Sequence, residues 1–183
     1  IPNWVQEAVF YQIFPDRFAN GATANDDRDA QDWGEDPNFF DRQGGDLQGV
    51  TKHFDYLCDL GVNALYFNPI FHAHSNHGYD TTDYYKVNPD YGTNDDYKQL
   101  IQEAHKRGIY VINDLVLNHT SSQHPWFQQA AADPKSSYRD WYIFSPTDPG
   151  YKGPFGDQAW FKNPAASEYY YGIFGSDLPD LNY

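Results

Sequence analysis

Asp114-Leu115-Val116-Leu117-Asn118-His119 decides how this chain is read. An unbroken apolar run, Ile109-Tyr110-Val111-Ile112, leads into it and predicts a β-strand. Strand side chains alternate between faces, so Ile112, Asp114, Val116 and Asn118 fall on one side. An ionised Asp there costs on the order of several kcal/mol unless a cation or donors meet it. A strand ending in a carboxylate, an amide and an imidazole at fixed offsets therefore marks a binding or catalytic site. The competing reading is an Asp satisfied by local backbone donors.

Upstream, the pattern repeats. Ala8-Val9-Phe10-Tyr11-Gln12-Ile13-Phe14 reads as a first strand ended by Pro15, and a Gly/Asn/Asp-rich loop follows to about Gln43. Leu47, Val50, Phe54, Leu57 and Cys58 recur at helical spacing, with Gly61 as the stop. That spacing places Cys58 in the core. Ala64-Leu65-Tyr66-Phe67 is a second strand, a long polar loop runs from Asn68 to Asn94, and Tyr97, Leu100, Ile101 and Ala104 stripe a second helix ended by Arg107-Gly108. The order β-α-β-α-β, with helices long enough to cross over, predicts parallel strands. Residues 120–183 break this rhythm with Pro, Ser, Asp and many aromatics, and one short helix near Pro125–Ala132. Three strands with two crossovers leave sheet edges bare, which predicts an incomplete closed architecture.

The 183 residues carry 12 basic and 26 acidic side chains, a formal net charge of −14. Phosphate binding needs a basic surface, so neither nucleic acid nor an anionic membrane is the expected partner. Acidity suits calcium binding and an exported location, secreted or periplasmic rather than cytoplasmic. Aromatics reach 19% of residues, more than a core alone requires, and their faces pack well on pyranose rings. Cys58 is the single cysteine, so no internal disulfide forms. The chain has no Met, so residue 1 is read as processed, trimmed or cut from something longer. No apolar run long enough for a transmembrane helix is present, and no signal peptide is visible.

With these segments placed, five motifs carry a resemblance to the α-amylase superfamily of glycoside hydrolases. They are Val9 to Phe18; Gly44-Gly45-Asp46-Leu47-Gln48-Gly49; Asn68-Pro69-Ile70-Phe71 with His77-Gly78-Tyr79-Asp80-Thr81-Thr82-Asp83-Tyr84; Asp114 to His119; and Leu178-Pro179-Asp180-Leu181-Asn182. The resemblance implies the first three strands and two helices of a (β/α)8 barrel, residues 1–119. An irregular domain inserted after the third strand, residues 120–183, would follow. The site would lie on the C-terminal face of the strands. It implies retaining cleavage of α-glucosidic bonds by a nucleophile and an acid/base about 5 Å apart. In the family both follow later strands, so this segment alone is expected to be inactive. The remainder of the catalytic domain and an α-glucan are then the expected partners.

The same resemblance assigns roles. Tyr79 would stack on the sugar whose bond is cleaved, His77 and His119 would donate to its hydroxyls, and Asp114 would support catalysis by positioning an arginine. Tyr79, Asp114 and His119 are expected to sit together on the barrel rim. Asp80 points to the neopullulanase, cyclomaltodextrinase and α-glucosidase side, since endo-acting amylases tend to carry an aromatic there. Asn118 and Trp160 complete the substrate-binding candidates, with core packing the other reading of Trp160. Calcium is the implied cofactor, held by Asn20, Asn25, Asp26, the Gly44 carbonyl and Asp46. Oxygen donors of this mix suit that ion, although Ala22 stands where a further oxygen is expected. The alternative to an enzyme segment is a non-catalytic carbohydrate-binding or calcium-binding module.

Overall fold

Three apolar runs pair edge to edge in sequence order. In the computed structural model, which describes residues 1–183, β1 (Phe10–Ile13) pairs with β2 (Ala64–Phe67) in parallel. β2 then pairs on its other edge with a strand that ends before Asp114. The middle strand explains the burial pattern: Ala64, Leu65 and Phe67 are all inaccessible, because a central parallel strand is covered on both faces.

The chain divides into two compact units, Ile1–Gly78 with Tyr84–Leu115, and Tyr79–Asp83 with Val116–Tyr183. In the first, Phe14 leads into the short helix α1 (Pro15–Phe18). The run expected to form one helix folds as two, α2 (Leu47–Lys52) and α3 (Phe54–Asp59). The break lies at His53, whose Nδ1 reaches the Gly49 carbonyl at 2.7 Å while its backbone N–H bonds Val50 rather than Gly49. Leu47, Val50, Phe54 and Leu57 reach the core, but Cys58, beside Leu57 at the edge of that stripe, is exposed, contrary to the spacing argument. Gly61, at φ +76°, ends the run.

The stretch from Asn68 to Asn94 is not a plain loop. It contains the paired strands β3 (Phe71–Ala73) and β4 (Thr81–Val87). Their polar side chains gave no apolar alternation to read. Helix α4 (Asn94–Lys106) starts with a reciprocal capping box between Thr93 and Asp96. It buries Leu100 and Ala104 against the core formed by Ile13, Leu65, Phe67, Ile70 and Ile109. The last parallel strand, β5 (Tyr110–Asn113), stops one residue short of Asp114. Residues 114–119 therefore leave the sheet instead of continuing it.

In the second unit, α5 (Pro125–Ala132) turns Phe127, Ala130 and Ala131 inward, joined by Tyr142 and Tyr170. The segment expected to be irregular also holds an antiparallel sheet: β6 (Phe144–Ser145), β7 (Trp160–Lys162) and β8 (Tyr169–Tyr171), ordered β6-β8-β7. Arg139 ties it together, pairing with Glu168 through two bonds of 2.7 and 2.5 Å and lying 3.6 Å over the Phe144 ring. The division at Leu115, rather than after His119, follows hydrogen bonding. Ser121 N–H donates to the Thr81 carbonyl at 3.0 Å, and a side-chain bond from His119 joins the same two segments. No helix is long and apolar enough to cross a membrane.

Candidate functional site

Ile13, Phe67 and Asn113 lie in register at the C-terminal ends of the three parallel strands. Asn68 N–H donates to the Ile13 carbonyl and Asp114 N–H to the Phe67 carbonyl, both at 2.9 Å. Phe14, Asn68 and Asp114 therefore emerge along one edge of the sheet. Asp114 is half-buried and accepts a hydrogen bond from the Tyr66 hydroxyl, its diagonal neighbour on the adjacent strand. Burial, with the Asp114 carboxylate second, raises the Tyr66 pKa. Asn68 is buried and accepts from Gln12 Nε2 at 2.8 Å.

His77 also belongs to the first unit, half-buried, with Nδ1 3.0 Å from Ser75 Oγ. The next residue, Gly78, has φ +75°, and a Cβ there would lie 2.5 Å from the Pro69 carbonyl oxygen, so glycine alone allows this path. His77 lines a cavity of about 530 Å³ together with Phe14, Trp33, Phe39, Gln43 and Asn76.

Tyr79, Asp80, Asn118, His119 and Trp160 lie in the second unit. His119 is 4% exposed, with Nε2 3.2 Å from the Tyr79 carbonyl, Nδ1 3.3 Å from Asn118 Nδ2, and the Phe174 ring 5.4 Å away. The tautomer that fits donates from Nε2 to Tyr79 and accepts at Nδ1 from Asn118. Asn118 also donates to the Asp180 carboxylate, whose pKa burial raises against that bond and the Ile173 N–H. His119 thus holds Tyr79 in place. Tyr79 and Asp80 are half-buried and Asn118 is exposed. Trp160 is 5% exposed, between Tyr151 and Tyr171 at 5.6 and 5.3 Å, which is the environment of a packing ring.

Of the residues expected to hold calcium, Asn20, Asp26 and Gly44 come together in the first unit. Asn20 Nδ2 donates to both Asp26 oxygens at 2.9 and 3.0 Å, while Asn20 Oδ1 and Asn25 Oδ1 are buried without a hydrogen-bond partner. Two orphaned amide oxygens beside a carboxylate are the donor chemistry a hard cation takes. Gly44, at φ +77°, closes the cradle, where a Cβ would stand 2.7 Å from Asn20 Nδ2 and 2.9 Å from Asp26 Oδ1. Asp46 is otherwise engaged, accepting from the N–H groups of Gly21, Ala22 and Gly49 at 3.1, 2.8 and 2.6 Å. No three His, Cys, Asp or Glu side chains cluster as a metal site, so any ion held here relies on amide and carbonyl oxygens.

Sequence reasoning overlooked Asp16 and Arg17 as organisers. Asp16 is buried, accepts from Gln43 and Gly44 N–H, and pairs with Arg17 at 3.1 Å; burial nonetheless leaves its carboxyl pKa raised. The signal was the dipeptide itself, an acid beside an arginine directly after an apolar strand.

The chain is similar to known proteins. The chain is 41% identical over 180 residues to Alpha-amylase 3 of Dictyoglomus thermophilum, covering 98% of this chain and 31% of that protein. It is 49% identical over 146 residues to a cyclomaltodextrinase of a Bacillus species, covering 77% of this chain and 26% of that protein. The structure superposes on the cyclic α-maltosyl-(1→6)-maltose hydrolase of Arthrobacter globiformis with a TM-score of 0.82 and 36% identity, over 99% of this chain and 39% of that one. The chain thus spans less than a third of the curated relatives it matches, and its parallel strands are part of a barrel. Residues 12–183 match the model of the α-amylase catalytic domain, and the chain belongs to that family.

Proposed function

We propose that this chain is part of a retaining α-glucan hydrolase, and that it supplies sugar-contacting and positioning groups. The nucleophile and acid/base are then carried by the rest of the catalytic domain. The observation that carries this reading is the match of residues 12–183 to the α-amylase catalytic domain, and four of the chain's carboxylates are engaged with its own donors. Asp46 receives three backbone N–H groups, Asp16 two and an arginine, Glu168 the Arg139 fork, and Asp114 the Tyr66 hydroxyl.

In this reading Tyr79 stacks on the sugar at the cleaved bond, and His77 with Asp80 contacts its hydroxyls. His119, with Asn118, holds the Tyr79 backbone, and Asp114 orients a cationic partner. Asn20, Asn25, Asp26 and the Gly44 carbonyl hold calcium, which when bound supplies rigidity to the loop after the first strand. Asp80 supports substrates of the cyclodextrin and maltodextrin kind. The test is release of reducing sugar from maltodextrin and cyclodextrin by the complete protein. A Tyr79→Ala variant should lose at least about 100-fold in kcat/KM, consistent with an interaction of several kcal/mol at the reacting sugar. No release by the unaltered protein would reject the proposal.

A further inference from the structure

Arg42 stands where three segments of the first unit meet. Its Nη1 lies 2.5 Å from an Asp90 carboxylate oxygen and its Nε 3.5 Å from Asp27, and its Nη2 donates to the His74 carbonyl. The side chain is 16% exposed, so water screens these contacts only in part. A guanidinium holds its donors in one rigid plane, so a shift of one partner moves or breaks the bonds to the others.

Each partner leads to a different place. Asp27 follows the cradle residue Asp26, and the Asp90 carbonyl accepts from Asn25 Nδ2 at 3.1 Å. One end of the Asn25 amide is therefore held by Asp90, while the other, the buried Oδ1, has no hydrogen-bond partner. On the opposite side His74 opens the segment that carries His77. Ser75 Oγ lies 3.0 Å from His77 Nδ1, and the buried Tyr91 hydroxyl donates to the Asn76 carbonyl at 2.6 Å. Asn76 Nδ2 in turn donates to the carbonyls of Phe39 and Asp41 at 3.1 and 2.7 Å, in a turn that Arg17 also holds. Asp90 and Tyr91 belong to one short 3-10 turn, Pro89–Tyr91, tied down by Asn88 accepting from the Asp90 N–H at 3.2 Å. One turn and one guanidinium thus join Asn25 to the backbone on either side of Ser75.

We infer that Arg42 is a positioning residue that couples two binding events, so that the hold of Asn25 on a cation and the hold of His77 on a sugar strengthen each other. The inference rests on the calcium and α-glucan readings above and adds a regulatory link between them. Coupling of binding free energies is reciprocal, so each ligand improves the affinity of the other by the same factor. The test is calorimetry on the complete protein, titrating calcium without sugar and then with saturating thio-linked maltotriose, whose sulfur bridges resist hydrolysis. In the unaltered protein the sugar should lower the calcium Kd at least about fivefold, the lower end of common couplings. The gain should vanish in Arg42→Gln, and also in Asp90→Asn, which keeps the carbonyl used by Asn25 and removes the charge that holds Arg42. Arg28→Gln, which removes a guanidinium paired with the exposed Asp29, should retain the whole gain. A clamp that only stabilised the fold would lower the melting temperature of the variants and leave the factor unchanged, which would overturn the coupling. A factor of one in the unaltered protein would overturn it without reference to any variant. Absence of calcium heat would remove the cradle reading, and absence of sugar binding the α-glucan reading, each taking the coupling with it.

Discussion

Asp46 shows how much one side chain can be asked to do. It is fully buried, caps α2 through the Gly49 N–H, and receives two further N–H groups from Gly21 and Ala22. An Asp before an apolar helical position is an N-terminal signal, but Asp46 was read from the resemblance as a calcium ligand, and the two bonds from residues 24 and 25 positions away have no local signal at all. Removing the carboxylate strands three donors, so Asp46→Ala should destabilise the complete protein by about 2–4 kcal/mol. Urea denaturation would show this as a lowered midpoint, and an unmoved midpoint would contradict the assignment. Cys58 teaches the opposite lesson. Its core placement followed from helical spacing, yet it is exposed at the edge of the stripe whose centre Phe54 and Leu57 occupy in the same helix.

Elements were legible where burial is two-sided or a helix stop is local. Ala64–Phe67 and Pro125–Ala132 form where their apolar content predicts them. The β3–β4 pair and the β6-β8-β7 sheet were hidden, because their side chains are polar or uniformly aromatic and show no period of two. Helix α5 carries a pH-sensitive start. His124 Nδ1 accepts from Trp126 N–H at 3.1 Å, and burial lowers the imidazole pKa, partly offset by the Asp83 carboxylate. The unfolded chain protonates this group near pH 6.5, the folded chain only below that. Its stabilising share is therefore complete above about pH 6.5 and is lost as pH falls through the folded value. Thermal melts between about pH 7.5 and 5.5 should show this loss, and His124→Asn, which keeps an acceptor at the cap, should reduce it. Equal slopes for both proteins would exclude His124 as the cause.

At the scale of the molecule, the acidic chain has a cradle of oxygen donors whose two buried amide oxygens lack partners. A bound cation stabilises by mass action, about 2.7 kcal/mol at a hundredfold excess over Kd. Calcium should therefore raise the melting temperature of the complete protein and a chelator should lower it, with Asn20→Ala blunting the response. Equal responses of the unaltered and Asn20→Ala proteins would remove the cradle as the ion's site. The sequence by itself determined the order of parallel strands and helices and which polar residues leave each strand. Those features depend on periodicity and capping within a few neighbouring residues. Only the tertiary structure decided how the polar groups are used: His119 on the Tyr79 carbonyl, Asp114 under the Tyr66 hydroxyl, Arg17 and Asn76 beneath the Phe39 turn. These partners lie far apart in the chain, 40 residues for His119 and Tyr79, so only folding could bring them together.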